Sequence, residues 1–138
     1  MKFGDVIIEK TDYLALKKIL NFHKYYHDDL QKDALDILKV SLDHAKICDT
    51  SEVPEGIVRL YSNVTVTISG KKQTFQLVLE DDHTNNDRKV SVRSILGAAL
   101  IGLSVGDQVK VPDCMAPIVI EHVEWLPKDT MRYSLKNE

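Results

Sequence analysis

The chain has 138 residues, 43% of them apolar and 28% charged, with a formal net charge of −3. That length and balance fit one ordinary globular unit with a real core, or a small domain with an appendage, and exclude a disordered or low-complexity chain. Residues 1–50 carry 8 Lys/Arg against 9 Asp/Glu and residues 51–138 carry 10 against 12, so neither part offers the basic surface that direct nucleic-acid binding requires.

The opening apolar run Val6-Ile7-Ile8 is short and flanked by acids, which predicts a brief strand and argues against a secretory signal. No stretch approaches the roughly 20 apolar residues of a bilayer span, so no membrane association is expected. Cys48 and Cys114 lack metal-ligand spacing. They predict no disulfide framework and a cytoplasmic setting. Thr11 is placed to cap a helix in which Tyr13, Leu14, Leu16, Ile19, Leu20 and Phe22 recur at steps of three and four. The polar stretch 23–28 interrupts that pattern, and a second helix then presents Leu35, Leu38, Leu42 and Ala45 as a coiled-coil seam. Two such helices predict a short antiparallel hairpin over residues 1–50, with arms of ~16 residues reaching roughly 24 Å.

Residues 49–56, with Pro54 and Gly56, read as a linker into a second domain at 51–138. There the period changes to two: Val64, Val66 and Ile68 alternate with Thr65, Thr67 and Ser69, and Phe75, Leu77 and Leu79 with Gln76 and Val78. Ser69-Gly70-Lys71-Lys72 predicts the connection between these strands. After an acidic loop at 80–88, a strand at Val90 and Val92 leads to Ser94, which can cap the next helix. Ala98, Ala99, Leu100 and Ile101 fill that helix, and Gly102 supplies the left-handed residue that ends it. Val105-Gly106-Asp107 turns into a strand near 108–111, and a last strand covers 118–125, with Pro112, Pro117 and Pro127 marking strand ends. A helical hairpin followed by an antiparallel sheet with one short helix is an α+β protein.

Few residues carry chemistry. Asp28 and Asp29 are paired carboxylates at the predicted hairpin tip, where helix capping explains them best because two acids without further oxygen donors hold magnesium weakly. His23 and His27 are four apart but have no third ligand nearby, and surface histidines are expected. Tyr25 and Tyr26 can anchor a partner or close the hairpin on itself. Glu80, Asp81, Asp82 and Asp87 form a solvated loop, and Trp125 with Leu126 is expected in the core. No nucleophile and base pairing, phosphate loop or dinucleotide fingerprint is present, so no catalytic residue, metal or cofactor is expected.

Residues 90–107, VSVRSILGAALIGLSVGD, resemble the core signature of the C-terminal domain of the bacterial Gre transcript-cleavage factors. Residues 64–125 follow the strand order and glycine positions of that FKBP-like domain. Upstream, Glu52-Val53-Pro54, Ile57-Val58 and Ser62-Asn63-Val64 are similar to the regulator of nucleoside diphosphate kinase (Rnk) family, which pairs the same domain with a shortened helical hairpin. The resemblance spans residues 7–125.

It implies a monomeric protein that binds RNA polymerase, with the C-terminal domain at the rim of the secondary channel and the hairpin directed into it. Ser94, Ile95, Leu96 and Gly97 are then partner contacts, joined by Tyr25, Tyr26, Asp28 and Asp29 at the tip. In cleavage-competent members, acidic tip residues hold magnesium at the polymerase active site. Residues 21–30 here lack the tip motif, in which a Gly-Asp pair is followed by Leu-Ser-Glu-Asn. Ile95 stands where the family commonly has Pro, a residue suited to the first helical position. The implied function is non-enzymatic regulation of transcription. The alternatives are a cleavage-type elongation factor and an interaction module for another partner. A prolyl isomerase would need an aromatic-lined pocket, and residues 51–138 hold only Tyr61, Phe75, Trp125 and Tyr133 as aromatics.

Overall fold

A computed structural model of the chain describes residues 6–23, 29–79, 88–112 and 114–125. In chain order these form β1 (Ile7–Glu9), α1 (Lys10–His23), α2 (Asp29–His44) and β2 (Lys46–Cys48), then a 3-10 turn at Thr50–Glu52. The remainder is β3 (Asn63–Ile68), β4 (Lys71–Val78), β5 (Lys89–Ser91), α3 (Ile95–Leu100), β6 (Gln108–Val111) and β7 (Cys114–Glu124). The result is a mixed α+β fold with a five-stranded, mostly antiparallel sheet in the order β5-β4-β3-β7-β6. Among the described residues, no helix is long and apolar enough to cross a membrane. Cys48 and Cys114 are both free and half-buried.

The alternating pattern places Val64 and Val66 of β3 and Phe75 and Leu77 of β4 on the buried face of the sheet. Ile118 and Ile120 of β7 join them. On this layer sits α3, and α2 packs against α3. Leu35, Leu38 and Leu42 of α2 share one continuous apolar cluster with Ala98, Leu100 and Ile101. The leucine seam therefore serves the whole core, and α2 packs more extensively on α3 than on α1.

Several local expectations change. The helix cap at the start of α1 is Glu9 rather than Thr11: the Asp12 amide donates to Glu9 Oε2 at 3.1 Å, and Thr11 lies within the first turn. Leu14 is 55% exposed, outside the buried stripe of Leu16 and Ile19. Ala45 falls just beyond the end of α2. β2 has no sequence signature; it pairs in parallel with β1, and the Lys46 amide donates to the Val6 carbonyl at 2.7 Å. The sheet is not wholly antiparallel, because β5 runs parallel to β4. The segment between those two strands is longer than a tight hairpin, and that length lets the chain return alongside β4.

Pro117 lies inside β7 rather than at its end. It is tolerated because the β3 ladder begins at Ile118 and the β6 ladder is irregular between Val109 and Val111. Trp125 is only partly buried and stands outside the apolar cluster. Its neighbour in the molecule is a charged side chain, described below.

Candidate functional site

The turn that starts α3 is built by two serines and a glycine. Ser94 is extended, with φ −89° and ψ 159°, and its Oγ accepts the Gly97 amide at 3.1 Å while donating to the Ser91 carbonyl at 2.6 Å. The Ser94 amide donates to the same carbonyl at 3.0 Å. This closes one free amide of the helix and locks the helix onto the end of β5. Gly97 is required by the closeness of that approach, since a Cβ there would fall on the Ser91 carbonyl oxygen. Ile95 and Leu96 are left half-buried at the rim of the core. The structure thus holds Ser94, Ile95, Leu96 and Gly97 in one hydrogen-bonded corner at the start of α3.

Gly102 has φ +84°, the left-handed conformation expected of it. Its role is more specific than a helix stop. Ile101 is extended and the Leu103 amide donates to the Leu100 carbonyl at 3.1 Å, so Gly102 occupies the third position of a type II turn that follows the helix. A Cβ there would collide with the Val6 side chain and approach the Ile7 carbonyl oxygen at 3.1 Å.

Tyr25, Tyr26 and Asp28 lie outside the described residues, as do His27, Glu80, Asp81, Asp82, Asp87 and Leu126. Asp29 opens α2. The described residues contain no group of three His, Cys, Asp or Glu side chains that could hold a metal ion.

A charged cluster joins the N-terminal segment to the sheet. Arg59, which interrupts the apolar run Ile57-Val58-Arg59-Leu60, is buried, with Nη2 at 3.8 Å from Glu9 Oε2 and Nε at 3.9 Å from Asp12 Oδ2. Its guanidinium carbon lies 3.5 Å from the centroid of the Trp125 ring, a stacked cation–π arrangement. Thr50 Oγ1 donates to Glu9 Oε1 at 2.9 Å, and the Leu60 amide donates to Asp12 Oδ2 at 3.2 Å. A lone arginine inside an apolar run was the one available signal for this cluster. Its partners are remote in sequence.

The two carboxyls respond in opposite ways. Burial raises Glu9, but hydrogen bonds from the Thr11 and Asp12 amides and the Thr50 hydroxyl outweigh it and hold the carboxyl below its ordinary value. For Asp12 burial dominates over the Leu60 amide and the Arg59 charge, and the carboxyl is pushed up from 3.8 to about 6. Next to the cluster, Tyr61 has φ +68°, in a turn closed by the Ser62 amide on the Arg59 carbonyl at 3.1 Å. A left-handed non-glycine residue costs on the order of 1–2 kcal/mol. Glu9, Asp12, Arg59, Tyr61 and Trp125 line a cleft of about 320 Å³.

Comparison with known proteins gives this arrangement its context. The family described as "Transcription elongation factor, GreA/GreB, C-term" matches over residues 53–120. The Regulator of nucleoside diphosphate kinase of Escherichia coli (strain K12) is 34% identical over 76 residues, covering 54% of this chain and 56% of that protein. The match spans little more than half of that relative's length. The Transcription elongation factor GreA of Legionella pneumophila (strain Corby) is 34% identical over 123 residues, 86% of this chain and 72% of that protein. A solved structure, the prokaryotic transcription elongation factor GreA/GreB from Nitrosomonas europaea, has the same fold with a TM-score of 0.69. It is 24% identical, and the match covers 88% of this chain and 99% of that one. With its capped α3 corner inside the matched segment, this chain belongs to the Gre family of transcription elongation factors, close to the regulators of nucleoside diphosphate kinase.

Proposed function

We propose that this protein is a non-enzymatic regulator that binds bacterial RNA polymerase at its secondary channel without stimulating transcript cleavage. In this reading residues 51–138 form an FKBP-like domain seated at the channel rim through Ser94, Ile95, Leu96 and Gly97. Residues 1–50 form a coiled-coil hairpin directed inward, with Tyr25, Tyr26, Asp28 and Asp29 at its tip, and the protein acts as a cytoplasmic monomer. Family membership supports polymerase as the partner.

The observation that carries the non-cleaving part is the reach of the helices. At about 1.5 Å per residue, the 14 residues of α1 and the 16 of α2 extend roughly 21 and 24 Å, and the turns that carry Leu16, Ile19, Leu35, Leu38 and Leu42 are buried in the core, so the free projection is shorter still. The tip sequence at 21–30 also lacks the acidic motif of the cleavage-competent members. A short arm without that motif occupies the channel and leaves the catalytic centre without a delivered magnesium ion.

Competition on polymerase tests this. The protein should displace a Gre cleavage factor from purified polymerase and leave a backtracked transcript uncut. Magnesium-dependent shortening of that transcript, abolished by Asp28→Asn together with Asp29→Asn, would restore the carboxylate pair as catalytic. Failure to displace the cleavage factor would remove the channel from the proposal.

A further inference from the structure

α1 carries two stripes. One, with Leu16 and Ile19, is buried in the core. The other runs through Thr11, Leu14, Ala15 and Lys18 at steps of three and four, so these residues share a helix face. That second face, with the edge of Ile19, lines a cleft of about 510 Å³ whose far wall is Leu79 and Arg93. Leu14 is 55% exposed there, although it is a large apolar residue at the middle of an ordered helix.

The charges in this cleft are one-sided. Among the described residues that line it, Lys18 and Arg93 carry charge and none is a carboxylate, in a chain whose net charge is −3. Arg93 Nε is shielded from solvent and has no hydrogen-bond partner, while the Arg93 amide is fixed by donating to Ser91 Oγ at 3.0 Å. A shielded polar nitrogen without an acceptor is rare, because desolvating it costs free energy that a hydrogen bond would return. Arg93 as a whole is only partly buried, so its guanidinium can pair from the cleft with the two oxygens of a carboxylate supplied from outside, and that charge offsets the cost of the shielded nitrogen.

We propose that the cleft between α1 and the β5–α3 corner docks an acidic peptide segment of a partner protein, in which a carboxylate lies beside an aliphatic side chain. The carboxylate pairs with Arg93 and Lys18, and the aliphatic group covers Leu14, Ala15 and Leu79. A nucleic acid fits the cleft poorly, since the described lining residues include two cations and no aromatic ring on which a base could stack.

The test is a titration of the full-length isotope-labelled chain with a short synthetic peptide alternating aspartate and leucine, followed by amide NMR shifts and by anisotropy. Saturable shifts at Leu14, Lys18, Leu79 and Arg93 are expected. Arg93→Gln should weaken binding about tenfold or more, the loss of one charge-assisted hydrogen bond. Lys18→Gln and Leu14→Ser should each weaken it at least about threefold, with unchanged melting curves, because surface substitutions of this kind stay within roughly 0.5 kcal/mol of neutral. Those two variants decide the matter if Arg93→Gln disturbs the fold.

Four outcomes would overturn the proposal: absence of saturable shifts, equal binding by the peptide with lysine in place of aspartate, the same shifts with inorganic phosphate alone, or tighter binding of single-stranded DNA. The titration contains no polymerase, so its failure leaves the channel reading intact.

Discussion

The Ile7 amide donates to the Gly102 carbonyl at 3.1 Å, and the Gly102 amide donates to the Val58 carbonyl at 3.0 Å. One glycine thus couples β1 to the segment that precedes the large sheet. Its left-handed backbone makes both bonds available at once.

Gly102→Val should therefore be strongly destabilising. A β-branched residue in the left-handed region costs about 1–2 kcal/mol, and its Cβ meets Val6, which adds an overpacking cost of about 1–3 kcal/mol. The melting midpoint should fall by roughly 10 °C. An unchanged melting curve would show that residues 101–103 relax without loss.

At the α3 corner two substitutions should separate capping from close packing. Ser94→Ala removes the acceptor of the Gly97 amide and should cost about 1 kcal/mol. Gly97→Ala places a methyl against the Ser91 carbonyl, where only backbone movement makes room, and should cost more than the cap. Urea denaturation of both variants gives the order. Equal losses would mean that the helix can shift away from β5.

Asp12 should leave a mark on the pH dependence of stability. Its folded value, about 6, lies above its ordinary 3.8, so the folded state binds the extra proton and this group's contribution is present in acid and lost as pH rises through 6. Between pH 7 and pH 5 the gain is about 1 kcal/mol. Glu9 has the opposite sign: its lowered value stabilises above its ordinary 4.5 and is lost as pH falls below that. Asp12→Asn should raise stability at pH 7 and flatten the interval between pH 5 and 7. Denaturation midpoints at the two pH values would show it, and an unchanged interval in the variant would remove Asp12 as its source.

The division at residues 50 and 51 remains a proposal that a fragment can test. Leu35, Leu38 and Leu42 share the apolar cluster with α3, so removing residues 1–50 uncovers part of that core. The fragment 51–138 should still unfold cooperatively on the strength of its five-stranded sheet, at a lower temperature than the whole chain. A fragment with no cooperative transition would place the boundary elsewhere.

Elements with strong local periods were legible from the residues alone. The alternation through Val64 and Val66, the Ser94 cap and the positive φ of Gly102 each follow from interactions within a few positions of one another, as do the two long helices with their leucine spacing. Local chemistry of that kind is written in order along the chain. Long-range choices were not. The parallel pairing of β1 with β2, the direction of β5, the packing of α2 on α3 and the stacking of Trp125 on Arg59 depend on which distant surfaces meet. Arg59 shows the difference: as a letter it is one charge in an apolar run, and only the folded chain places Glu9 and Asp12 beside it. An apolar stripe specifies that it will be covered but not by which neighbour, since hydrophobic burial is non-directional, and the partner is decided when all the surfaces are packed together.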